Sequence, residues 1–177
     1  KMIRIFDFLF SLIGLIFLLP LLIFVFFIAL FENGSPLFIQ SRVGYNFKSF
    51  SLIKFRTMPM GVRSAGTHLI KDIKLSSFGY FLRRTKIDEI PQLLNVLLGD
   101  MSLVGPRPCL FNQRKLISER KKRGVFKVRP GITGLAQISG INMSTPTLLA
   151  KTDQKMIKGM SLYNYFYYIL KTIFKII

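Results

Sequence analysis

"FLFSLIGLIFLLPLLIFVFFIALF", residues 8–31, decides the fold: 24 residues without a charge exceed the roughly 20 that a helix needs to cross hydrocarbon. Only Ser11, Gly14 and Pro20 interrupt its large apolar residues. The run is too long for the core of a cleaved signal peptide, and the "FENGSP" after it offers no small-residue cleavage site, so a retained membrane segment is expected. Two features oppose a plain crossing. Pro20 stands near the centre, where it removes a helical hydrogen bond and favours a break. Lys1 and Arg4 precede the run while Arg42, Lys48, Lys54 and Arg56 follow it, which places both ends on the cytoplasmic side. Charge and proline leave two readings open, a spanning helix and a re-entrant helix–break–helix over residues 1–31. The second needs partners for the backbone groups freed at the break.

Working outward, 177 residues suit one domain with its own core. Half the residues are hydrophobic and mean hydropathy is +0.41, yet the formal charge is +18. That combination describes a chain on or in an anionic phospholipid membrane that meets phosphate groups, in lipid heads or in a substrate. A single cysteine, Cys109, excludes an internal disulfide framework, and a single histidine, His68, leaves no set for structural zinc. Both fit a reducing, cytoplasm-facing location. Neither a Walker A loop nor a GxGxxG fingerprint is present, and no nucleic-acid-binding motif accompanies the charge, so no nucleic acid is expected as partner.

Beyond residue 31 the chain carries 24 Lys/Arg against seven acids. "PLFIQSRV" and "FSLIKFRTM" alternate partially and are joined by "GYNFKS", a hairpin pattern. "SSFGYFLRRT" reads as a short helix capped by Ser76 or Ser77, and "DEIPQLLNVLLG" as a helix closed by Gly99. "DMSLVGPRP" and "VRPGITG" read as stiff loops. Thr145 and Pro146 open a further helix as cap and first residue. The last segment, "SLYNYFYYILKTIFKII", sets Asn164, Tyr168, Lys171 and Lys175 on one helical face and suits the headgroup boundary, packing on the core being the alternative. The expected architecture is α+β: the membrane segment at 1–31, a mostly helical cytosolic domain with a small β-hairpin at 32–160, and an amphipathic interface helix at 161–177.

Two of the eight acids, Asp88 and Glu89, are adjacent, between Arg83-Arg84 and a proline-clamped Arg107. A helix starting at Asp88 puts Pro91 in the first turn, where it is tolerated, and makes Asp88 a cap. Positive potential from the helix end and from Arg83, Arg84 and Lys86 is expected to keep both carboxylates ionised and to draw phosphate to the same place. An ionised carboxylate can bind Mg²⁺ or attack phosphorus, and a second can assist. Pro106 and Pro108 hold Arg107 extended, a stiff mount for a phosphate-binding fork. Lys54, Arg56 and Arg129 are further phosphate-binding candidates, each equally a lipid-head contact.

Together, "RIFDFLFSLIGLIFLLPLLI", "GSPLFIQSRVG", "LIKFRTM", "LRRTKIDEIPQLLNVLLGDMSLVGPRP" and "VRPGITGLAQISG", in this order, resemble the bacterial sugar transferase family, the monotopic phosphoglycosyl transferases. The resemblance implies a re-entrant helix broken at Pro20, residence on the cytoplasmic face of the bacterial inner membrane, and Mg²⁺-dependent transfer of a phospho-sugar from a UDP-sugar to polyprenyl (undecaprenyl) phosphate. It makes Asp88 the nucleophile and a metal ligand, Glu89 its partner, and Lys54, Arg83 and Arg107 phosphate contacts. The chain departs from the family pattern at Leu19, where serine is frequent, and at Ile141, where arginine is. A non-catalytic basic membrane-surface protein is the alternative.

Overall fold

The apolar run forms the middle of one long helix, α1 (Met2–Asn33), in a computed structural model that describes residues 2–59 and 75–176. The division expected at Pro20 is absent from this element, which continues through the proline. The ring deletes one N–H, and so only the bond to the carbonyl four residues back, at Ile16. The turns on either side are held by packing against the rest of the chain, which offsets that loss.

That packing extends along the helix. Near its start, Arg4 donates to the carbonyls of Leu97 (3.0 Å) and Met101 (3.4 Å). Asp7, missed as a feature in the sequence, accepts three hydrogen bonds on one oxygen, from the Ser102 hydroxyl (3.0 Å), the Leu103 N–H (2.9 Å) and the Tyr165 hydroxyl (2.9 Å). At mid-helix the Gly14 backbone lies so close to Leu93 that a methyl there would press on it. Towards the far end, Val25 with Leu21, Leu22 and Phe26 packs against Phe55, Leu82 and Ile87. The opposite face, with Phe10, Ile13, Phe17, Phe24, Phe27 and Phe31, is exposed.

The hairpin forms as expected: β1 (Leu37–Val43) pairs antiparallel with β2 (Ser49–Phe55) across a 3-10 turn at Tyr45–Phe47. Next comes α2 (Ser77–Thr85), where the Ser76 side chain caps the Gly79 N–H, and a second 3-10 turn at Ile87–Glu89. α3 (Gln92–Leu98) follows and closes on Gly99, whose φ of +91° suits glycine. It therefore starts four residues after Asp88, which is no cap. Pro91, with αR dihedrals, provides the start instead.

The two stiff loops hold short strands, β3 (Ser102–Val104) and β4 (Gly131–Thr133), paired in parallel. Three residues give no readable alternation, so their pairing was invisible in sequence. Their approach demands glycine, because a Cβ on Gly131 would fall on the backbone of Gly105. α4 (Arg114–Lys122), a 3-10 turn at Val125–Lys127, α5 (Leu135–Ile138), α6 (Pro146–Lys158) and α7 (Leu162–Ile176) complete the chain.

α7 corrects one expectation. Tyr168, placed on the polar stripe with Asn164 and Lys171, is buried with Tyr165, Met156 and Val104. The helix turns Tyr165 and Tyr168 to the core, while Lys171 of the stripe is exposed together with Tyr163, Leu170, Ile173 and Phe174. The side chain of Lys175 lies outside the described residues.

Candidate active site

Asp88 and Glu89 sit on the tight turn between α2 and α3, which one backbone conformation and two contacts fix. Lys86 enters in the left-handed region (φ +60°), Ile87 inserts into the cluster with Val25 and Leu82, and Asn95 of α3 bonds the backbone of β2. Asn95 Oδ1 accepts from the Ile53 N–H (3.1 Å) while Nδ2 donates to the Ser51 carbonyl (2.8 Å). One side chain thus ties the carboxylate turn to the strand carrying Lys54.

Asp88 is only 5% exposed, and its Oδ1 has no hydrogen-bond partner. Burial, then the neighbouring Glu89 charge, pushes its pKa up to about 6, although Lys54, Lys86 and Arg83 pull it down. Desolvation outweighs the cations in the shift, yet with a pKa of about 6 Asp88 is still mainly the carboxylate at neutral pH, in line with the expectation that both acids are ionised. Glu89 behaves oppositely. Burial raises its carboxyl, but Arg107 and Lys86, with the Arg107 hydrogen bond, outweigh burial and hold it below the usual range. Glu89 Oε1 accepts from Arg107 Nη2 at 2.7 Å. The two carboxylates therefore differ: one is tied to a guanidinium, the other has a buried oxygen without a partner.

Of the basic candidates, Lys54, Arg83 and Arg107 gather around the pair. Lys54 lies over the Phe38 ring, and burial pulls its ammonium pKa down while Asp88 opposes the shift. Arg83 Nε donates to Thr57 Oγ1 (2.8 Å), and Asp88 and Lys54 both feel its charge. Arg107 is mounted on a loop whose carbonyls are taken one after another. Gly105 accepts from Gln137, Pro106 from the Gly131 N–H, Arg107 from Arg120, Pro108 from Arg42 and Cys109 from the Val43 N–H. Proline stiffness was legible in the sequence; this framework was not.

Arg56 and Arg129 are engaged elsewhere. Arg56 shares the Phe38 ring with Lys54 but donates to the carbonyls of Ser35 and Leu37, tying off the hairpin. Arg129 donates to the Gly99 carbonyl (2.7 Å) at the end of α3 and lies over Tyr45. Sequence reading missed Arg42 as a site residue. Arg42 passed as a flanking charge, but burial and Arg107 lower its pKa to about 10 while Glu89 pulls it up, which places it beside the Arg107–Glu89 pair. Lys86, expected to act on both carboxylates, lowers the pKa of each. Ile141, at the family's arginine position, packs against the core of Val43 and Cys109.

Among the described residues no cluster of three or more His, Cys, Asp or Glu could cage a metal. Asp88 Oδ1 is a buried acceptor without a hydrogen-bond partner. A hard divalent cation would take one carboxylate here and complete its shell from phosphate and water, which is the habit of Mg²⁺. The arrangement fits an anionic diphosphate: cations to receive it, an unpaired carboxylate oxygen to meet it, and a second carboxylate restrained from competing.

A family model described as bacterial sugar transferase matches residues 1–177. An uncharacterized sugar transferase of Bacillus subtilis is 45% identical over 139 residues, 76% of this chain and 68% of that protein. An undecaprenyl-phosphate galactose phosphotransferase of Salmonella typhimurium is 33% identical over 186 residues, 96% of this chain and 39% of that protein. A UDP-galactose-lipid carrier transferase of Erwinia amylovora is 33% identical over 190 residues, again 96% of this chain and 39% of that protein. The chain thus spans under half the length of the latter two. With a match along its whole length and a carboxylate turn ringed by cations, the protein belongs to the bacterial sugar transferase family.

Proposed function

We propose that the chain is a polyprenyl-phosphate sugar-1-phosphate transferase that moves a phospho-sugar from a UDP-sugar to undecaprenyl phosphate and so starts membrane-linked glycan assembly. The observation that carries this reading is Asp88: buried, with an unpaired Oδ1, among Lys54, Lys86 and Arg83. The names of the Salmonella and Erwinia relatives support undecaprenyl phosphate as acceptor and make UDP-galactose the first donor to test.

In this mechanism Lys54, Arg83 and Arg107 receive the diphosphate and lower the repulsion between its oxygens and an attacking carboxylate. An Asp88 oxygen attacks the β-phosphorus, the bond from that phosphorus to the bridging oxygen breaks, and UMP leaves with the bridging oxygen. A phosphate oxygen of the lipid then attacks the aspartyl phospho-sugar, freeing Asp88 and giving the polyprenyl diphosphate sugar. Two displacements divide one hard step. Mg²⁺, when bound, neutralises diphosphate charge, with Asp88 as its protein ligand. Glu89, held by Arg107, keeps a negative charge beside Asp88, which raises the basicity of the nucleophile.

α1 belongs to the same reading. Both of its ends pack on the unit that carries the site, which supports a monotopic disposition in which the helix enters and leaves one leaflet, with Pro20 as the place to bend. Intact-protein mass after mixing with Mg²⁺ and a UDP-sugar panel, without lipid, tests the chemistry. A phospho-sugar adduct is expected on the wild type and not on Asp88→Asn. The reading is overturned if no donor gives an adduct and none releases UMP once polyprenyl phosphate is added.

A further inference from the structure

Arg120 and Asp153 stand apart from the chemistry just described, in an environment that needs a reason. Both are essentially sealed, with 2% and 0% of their side chains exposed, although each is ionisable. Arg120 Nε hydrogen-bonds Asp153 Oδ2 at 2.9 Å, and Nη2 stands 2.8 Å from the same oxygen as an ion pair. Asp153 Oδ1 is left with no hydrogen-bond partner. A pair serving only to join α4 to α6 gains little over well-packed apolar side chains, because the desolvation of two charges offsets their attraction. The remaining arm shows what the charge does: Arg120 Nη1 donates to the carbonyl of Arg107 at 2.8 Å.

That carbonyl is the middle one of the five consecutive acceptors at 105–109, and its own side chain is the guanidinium paired with Glu89. The other holders of this loop are two backbone N–H groups, a glutamine and Arg42. Arg120 is the one whose direction is dictated by a buried counter-charge. Asp153 orients Arg120, Arg120 fixes the Arg107 backbone, and that backbone sets where the guanidinium stands over the carboxylates.

We propose that Arg120 and Asp153 are positioning residues that hold the Arg107 guanidinium against Glu89, an inference that rests on the functional reading above for its catalytic consequence alone. Lysine at 120 keeps the charge but loses the fork, so it cannot serve Asp153 and the carbonyl together. Asparagine at 153 keeps the shape and removes the charge. Both release the Arg107 loop, whereas Leu149→Ala, a cavity in the core that Cys109 of the loop shares, lowers stability while keeping every hydrogen-bond donor to the loop's carbonyls.

The test is the rate of phenylglyoxal modification at Arg107, read by peptide mass spectrometry on the full-length protein in detergent, with Glu89→Gln as the reference for an unpaired guanidinium. Arg120→Lys and Asp153→Asn are expected to raise the rate towards that of Glu89→Gln, and Leu149→Ala to keep the wild-type rate. If Arg120→Lys and Asp153→Asn lower the melting temperature as Leu149→Ala does and leave Arg107 labelling unchanged, the pair is merely structural and the proposal falls. Labelling needs no turnover, so it stands apart from UMP release by the wild type, whose absence would overturn the functional reading alone. Where UMP is released, Arg120→Lys is expected to lower kcat/KM at least about tenfold, and to add nothing further in an Arg107→Met background. Additive losses would contradict action through Arg107.

Discussion

Asp88 is held where its ionisation works against the fold. Its pKa stands at about 6 against an ordinary 3.8, so the native state binds the extra proton between those values. Its contribution to stability is complete below about pH 4 and is lost as pH rises through 6, worth up to about 3 kcal/mol. Asp88→Asn is therefore expected to melt higher than the wild type at pH 8 and level with it near pH 4; thermal scans at the two pH values check the difference. Activity runs the other way, since the attacking form is the carboxylate. The kcat/KM for UMP release should halve near pH 6 and fall about tenfold for each further pH unit. A flat profile down to pH 5 would contradict Asp88 as the titrating nucleophile. The residues around it were legible for physical reasons: acids are scarce in this chain, and proline on both sides marks Arg107. Arg120 was not legible, because within "ERKKR" it looks like a solvated charge and its partner lies 33 positions away.

At the scale of elements, local signals survived and long-range pairings did not. The hairpin, the Ser76 cap and the Gly99 stop each depend on neighbours in sequence. Asp7, β3 with β4, and the inward side of α7 depend on contacts that no periodicity announces. Tyr168 shows why: the amphipathic stripe is real, but aromatic side chains with a polar tip suit a core wall as well as a headgroup layer. Asp7 is the strongest of these hidden joints, since one carboxylate oxygen gathers donors from β3 and α7 onto α1. Asp7→Leu leaves three buried donors unsatisfied and is expected to destabilise by several kcal/mol, on the order of 3–5, whereas Tyr165→Phe removes one partner and should lose about 1. Denaturation in detergent would rank the two. Equal losses would show that α1 is not held through this carboxylate.

For the whole molecule the question is which way α1 meets the bilayer. Its 32 residues extend about 48 Å as a straight helix, well beyond a hydrocarbon core of roughly 30 Å. Length alone would allow a crossing. The contacts argue otherwise, because Arg4 and Asp7 at one end and Val25 at the other pack on the same unit, whose site carries Lys54, Arg83 and Arg107. A helix that crossed would carry one of those ends about 30 Å from the charged domain and leave Arg4 and Asp7, or the hairpin, without their partners. On the monotopic reading, the exposed apolar face of α1 and the outer face of α7, with Tyr163, Leu170 and Phe174, are the surfaces expected to meet lipid. Cysteine accessibility in intact cells decides the matter, with Cys109 buried and so silent as background. Met2→Cys and Ser35→Cys flank the helix. Both are expected to resist a membrane-impermeant maleimide in sealed cells and to react once the inner membrane is opened. Labelling of either one from outside would establish a crossing and separate the site from the N-terminal contacts described above. Protection of both keeps the carboxylate turn on the cytoplasmic side, where a UDP-sugar from solution and a phosphate held at the lipid surface can meet.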